Sequence, residues 1–124
     1  MNHHIQETQQ TMEALHDHLR AALLSQNTRD AIGHSGAVQE ASAVVLRQLD
    51  QALSHARDRD AGPSGIHRTV VQAAQRAMSQ AIENGERVAI GSNIDEMRDR
   101  LIDVKTQIDY ADAYLRIATG RGDL

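Results

Sequence analysis

"SNIDEMRDRLIDVKTQIDYADAYLRIATG", Ser92 to Gly120, repeats an apolar residue with heptad spacing. With Ile94 at position a, the a and d positions are Ile94, Met97, Leu101, Val104, Ile108, Ala111, Leu115 and Ala118. All are apolar, the pattern of helices that pair at a small crossing angle. Larger side chains hold the a positions and alanines gather at d toward the C-terminal end, so a neighbouring backbone can come closer there. The start is marked by Asn93 with Glu96 three residues on, a capping box, and Ser92 with Asp95 offers a second register. Asp95 and Glu96 lie where the helix dipole favours negative charge, Arg116 and Arg121 lie near the other end, and Gly120 marks the stop.

Three further helices are expected upstream. Ile5, Met12, Leu15, Leu19 and Ala22 share one face of a helix over about residues 6–26, with Thr8 as the polar exception. The stretch NTRDAIGHSG, residues 27–36, holds two glycines, a serine and an asparagine and reads as a loop, with Ser35 capping the second helix. Over 37–59 the stripe is Val38, Ala41, Val45, Leu49, Ala52 and Ala56, widened by Leu46 and Leu53. Gly62, Pro63 and Gly65 then turn the chain, and 65–84 carries Ile66, Val70, Ala74, Ala77 and Ala81, with Val71, Met78 and Ile82 beside them. Asn84-Gly85 reads as a C-cap in left-handed conformation, Glu86 to Gly91 as a short extended connector, and 93–119 as the last helix.

Composition agrees with this reading. The chain has 124 residues, enough for one domain with a modest core, so 1–124 is taken as a single all-helical unit. Its only aromatic residues are Tyr110 and Tyr114, so the core must be aliphatic, which suits helices better than sheets. The expected class is all-α: a four-helix bundle or a pair of helical hairpins, ending in a long coiled-coil-like helix.

Charge and residue usage narrow the function. With 13 Lys and Arg against 17 Asp and Glu, the net charge of −4 supplies no basic face for phosphates, so no nucleic acid is expected. Only Lys105 among the 13 cations is lysine. The absence of cysteine removes thiol chemistry and disulfides. Neither a signal peptide nor a membrane span is legible, so the default is a soluble cytoplasmic protein with no membrane partner, signal-independent export remaining open.

The last helix has a second, thinner stripe, Ile102, Tyr110, Ala113 and Ile117, well around the cylinder from the first. One seam needs one neighbour, and this helix has two. It is either the central helix of a monomeric bundle, or it closes the monomer with one seam and offers the other to a partner. Tyr110, Tyr114 and Arg116 are residue types that dominate interfaces, so the candidate interface is Ile102, Tyr110, Ala113, Tyr114, Arg116 and Ile117.

Other constellations carry chemistry only in outline. Glu13 and His16 have the E-x-x-H spacing of di-iron carboxylate bundles, which need two such helices and two more glutamates; one is present. His16 and His18, two apart, diverge on a helix, and His3-His4 stands alone near the start. His34, in IGHSGAVQEASAVV, is similar to the phosphorylated histidine of phosphotransfer bundles, four-helix domains of about this length. There the histidine lies within a helix with a lysine and a glycine close behind; here it falls in the expected loop, and no lysine follows. Ser54, His55 and Asp58 are neighbours on one helix that diverge rather than converge, so no catalytic residue is assigned. The Arg121 to Asp123 triplet matches that of some integrin ligands, and no phosphate-binding loop occurs.

The expectation is therefore a small non-enzymatic helical interaction protein, a regulator, inhibitor, adaptor or chaperone, that binds a protein partner or itself as a homodimer. Burial of the Tyr110, Tyr114 and Ile117 region would drive binding, with the Arg57 to Asp60 corner as a charged rim. No cofactor or metal ligand is assigned. The alternatives are a structural subunit of a bacterial export or filament-type assembly and, third, a phosphotransfer-like or metal-binding bundle.

Overall fold

The computed structural model describes residues 2–59 and 64–119, with side-chain environments for 4–54 and 68–118. These residues form four helices, α1 (Asn2–Leu23), α2 (Thr28–Arg59), α3 (Ser64–Glu86) and α4 (Ile94–Thr119), with a 3-10 turn at Val88–Ile90. No strand occurs among them, so the chain is an all-α bundle. Each helix packs on the next in sequence, and α4 returns to α1 along a thinner seam. Among the described residues the backbones of α1 and α3 stand apart across the core, and those of α2 and α4 approach only slightly, so consecutive helices go round the core in order.

The apolar stripes explain this closure. Ile5, Met12, Leu15, Leu19 and Ala22 of α1 are all buried, as are seven of the eight α4 seam residues, Met97 through Ala118. Ile94, the eighth, packs at the edge of the core. Each fully buried aliphatic side chain of this size contributes about 1.5–3 kcal/mol, so no aromatic residue is required. Val38, Val45, Leu49, Ala52 and Leu53 supply α2's share, and Val71, Ala74, Ala77, Met78 and Ala81 supply α3's. Thr8, fully buried in the α1 stripe, donates its hydroxyl to the His4 carbonyl at 2.7 Å and so hides its polarity within its own helix.

The expected loop at 27–36 is helix instead. Asn27 is the cap: its Oδ1 accepts the Asp30 N–H at 2.9 Å, and its carbonyl accepts the Ala31 N–H at 3.1 Å. Ala31 and Ser35 are buried four residues apart, continuous with Val38, so the core-facing stripe begins two turns before the first valine. Ser35 is thus an interior residue and not a cap. Two small side chains carry too little hydrophobicity to outweigh two glycines in a pattern search, yet their burial keeps this segment helical. At 32 residues α2, not the C-terminal helix, is the longest element. The first helix begins and ends a few residues earlier than the 6–26 expectation.

The α3 end also differs. Helix α3 runs through Asn84 and Gly85 to Glu86, and Gly85 does not take a left-handed conformation. Gly85 serves close approach instead: the Gln39 side chain of α2 lies over its Cα, where a Cβ would stand, and donates Nε2 to the Ile82 carbonyl at 2.9 Å. That bond ties α2 to the last turns of α3 through a backbone carbonyl. The connector is the 3-10 turn, closed by Ile90 N–H to Arg87 C=O at 3.3 Å and anchored by fully buried Val88.

Of the two registers expected for the cap on α4, the Asn93 and Glu96 one forms, while Ser92 pairs with Glu96 instead of Asp95, which turns to Arg98. Asn93 Oδ1 accepts the Glu96 N–H at 2.9 Å, while the Glu96 carboxylate accepts the Ser92 N–H at 3.1 Å and the Ser92 hydroxyl at 2.7 Å. The Glu96 carboxyl is held below the usual glutamate range, first by the Ser92 hydroxyl and then by the Ser92 N–H; burial opposes them less strongly, and Arg100 adds the smallest lowering effect.

Candidate interaction surface

Counting about 100° per residue, Ile102, Tyr110, Ala113 and Ile117 fall within an arc of roughly 80° on α4, centred nearly opposite the buried seam. Their exposure follows: Ile102 is 52%, Tyr110 54% and Ile117 44% accessible, and Ala113 is exposed. Large apolar side chains open to this degree lie outside the buried core that the other face of the helix builds.

Tyr114 and Arg116 stand apart from those four. Tyr114 is half-buried and packs against the core, bordering a crevice of about 200 Å³ between α3 and α4 with Ala73, Arg76, Ala77, Gln107 and Tyr110. It has a foot in both surfaces. Arg116 is exposed on the opposite flank and pairs with Asp112 at 3.1 Å.

The flanks of the stripe differ in charge. On α4, Lys105 reaches Asp109 at 2.7 Å and Arg100 reaches Glu96 at 2.6 Å. Arg98 pairs with Asp95 at 3.5 Å and donates to the Ser25 carbonyl at the end of α1 at 2.6 Å. Asp99 and Asp103 make no ion pair or hydrogen bond among the described residues, and both sit within or beside the exposed arc.

A second feature lies where α1 meets α4. A groove of about 630 Å³ is bordered by Met12, Glu13 and His16 of α1 and by Asp109, Asp112 and Arg116 of α4. The E-x-x-H pair therefore faces two aspartates across the α1–α4 seam. Asp109 and Asp112 are tied to Lys105 and Arg116, and no three His, Asp or Glu groups among the described residues converge as a metal site would require.

His34, expected in a loop, lies within α2 and is exposed, with open space around Gly33 and Gly36. The helical setting matches that of phosphotransfer histidines, and the missing lysine does not. His18 and Ser54 are exposed, while the side chains of His3, His55 and Asp58, the Arg57 to Asp60 rim and the Arg121 to Asp123 triplet lie outside the described residues.

Sequence reasoning passed over the most open apolar residues. Ile90 is 72% and Leu24 68% accessible, and both lie with Ile32 at the end of the bundle that holds the α1–α2 turn and the 3-10 turn. Leu24 directly follows Leu23, which packs on the core; such a doublet at a helix end leaves one member outside, and that was its only signal.

No helix among the described residues is long and apolar enough to cross a membrane. Comparison with protein-family models, with characterised proteins and with solved structures finds no match for this chain.

Proposed function

We propose that this is a small, non-enzymatic helical interaction protein that docks on another protein surface through the outer face of α4. The observation that carries the reading is the apolar stripe Ile102, Tyr110, Ala113 and Ile117, left open by a helix that has already buried seven of its eight seam residues. A regulator, inhibitor, adaptor or chaperone works in this way, by occupying a surface. A subunit of an export or filament-type assembly would keep its terminal helices waiting for neighbours. Here α1 and α4 bury their stripes inside the monomer, so the docking reading has the better support.

The test is site-specific cross-linking from a photoreactive residue at Tyr110 in the native cell, with the same residue at exposed Gln51 on α2 as control. A discrete adduct from position 110 and none from 51 is expected. Equal labelling from both positions, or none, overturns the reading. Tyr110 is preferred to Tyr114 because the latter also packs on the core, so its loss would mix folding with docking.

A further inference from the structure

We propose that the occupant of the α4 face is a basic amphipathic helix of a partner protein; this deepens the docking reading and rests on it. Charge is the first argument. Arg98, Arg100, Lys105 and Arg116 are all engaged by carboxylates of their own helix, whereas Asp99 and Asp103, beside Ile102 and Tyr110, have no partner among the described residues. The face therefore presents an apolar strip with an uncompensated acidic edge. Its complement is a helix with an apolar stripe and Lys or Arg along one border.

Size is the second argument. The three large exposed side chains and Ala113 offer roughly 300 Å² of apolar surface, the scale of a single functional patch. A stable dimer buries about 800 Å² on each partner, roughly 450–500 Å² of it apolar, which is more than this strip supplies to a second copy. A second copy would also bring its own Asp99 and Asp103 to the contact, with every α4 cation already held and Arg76 of α3, at the crevice, the one nearby cation among the described residues to meet four carboxylates. One helix laid along the stripe needs no more than the strip supplies, and the crevice beside Tyr110, about 200 Å³, is roomy enough for one of its aliphatic side chains.

The experiment titrates the ¹⁵N-labelled full chain with an 18-residue Leu/Lys amphipathic peptide and, separately, with its Leu/Glu counterpart, while light scattering follows the mass across concentration. The Leu/Lys peptide is expected to shift amides from Asp99 to Ile117, to weaken as salt rises, and to lose about 5-fold in affinity with Asp99→Asn and Asp103→Asn together. Shifts scattered over other acidic surfaces, or affinity unchanged by the double variant, overturn the proposal. If the Leu/Glu peptide binds the same amides as tightly, or if a dimer closes on them, the basic-helix proposal fails and the docking face stands. A monomer whose α4 amides ignore both peptides removes both.

Discussion

Replacing Gly33 and Gly36 by alanine should stabilise the protein. Both lie in α2, neither adopts a left-handed conformation, and a Cβ added at either meets no atom within 4 Å. The packed state thus changes by nothing except two methyl groups facing water. The unfolded chain loses backbone freedom, and the helix interior gains about 0.5–1 kcal/mol per site, so the pair should contribute about 1–2 kcal/mol. For a domain of this size each kcal/mol moves the midpoint by roughly 3–5 °C, so the double variant should melt about 3–10 °C higher. Urea titration followed by circular dichroism at fixed pH, on both singles and the double, measures this directly, with the m-value checked for constancy. Destabilisation by either single variant, the outcome for a loop that uses glycine conformations, would refute the helical start at Thr28 and return residues 27–36 to a turn.

Three further outcomes rest on particular environments. Leu101→Ala, at a fully buried seam position, should lose about 2–5 kcal/mol, whereas Ile102→Ala next to it should stay within about 0.5 kcal/mol in the same denaturation assay; similar losses at both would put the outer stripe in the core. Ser42 is fully buried with no partner for its hydroxyl, so Ser42→Ala should stabilise by about 1 kcal/mol, and a loss of stability would reveal a bond the hydroxyl makes. Because the Glu96 carboxyl is held below its unfolded value, its stabilising effect is present above the unfolded pKa and disappears as pH falls through the folded one; Ser92→Ala should raise the Glu96 titration midpoint seen by carboxyl NMR, and an unmoved midpoint would dismiss the cap as its cause.

Where large aliphatic residues recur at helical spacing, the sequence was a sufficient guide. The α4 seam, the α1 stripe and the cap at Asn93 all stand where the pattern puts them, because burying Leu and Ile at 3.6-residue spacing has one cheap solution. Legibility fell where burial is carried by small residues. Ala31 and Ser35 are as firmly inside as Leu49, but a stripe of Ala and Ser is invisible beside Gly33 and Gly36. Gly85 misled for a related reason: its role depends on Gln39, a residue 46 positions earlier that no local window includes. The candidate surface was half legible. Exposure of Ile102, Tyr110, Ala113 and Ile117 follows from the angle they make with the seam, whereas the division of Tyr114 between core and crevice depends on where α3 lies, which periodicity does not specify.

The thin α1–α4 seam also bears on how the molecule comes together. Most of the packing joins helices adjacent in sequence, and the α1–α4 seam closes across about the whole chain. Low contact order of that kind goes with folding in microseconds to milliseconds, since few long loops must be closed before contacts reward them. The hairpins α1–α2 and α3–α4 can gain most of their burial before the ends meet. Contacts across the Glu13 and His16 groove then form late, so changes there should act on the unfolding rate and leave the folding rate almost untouched.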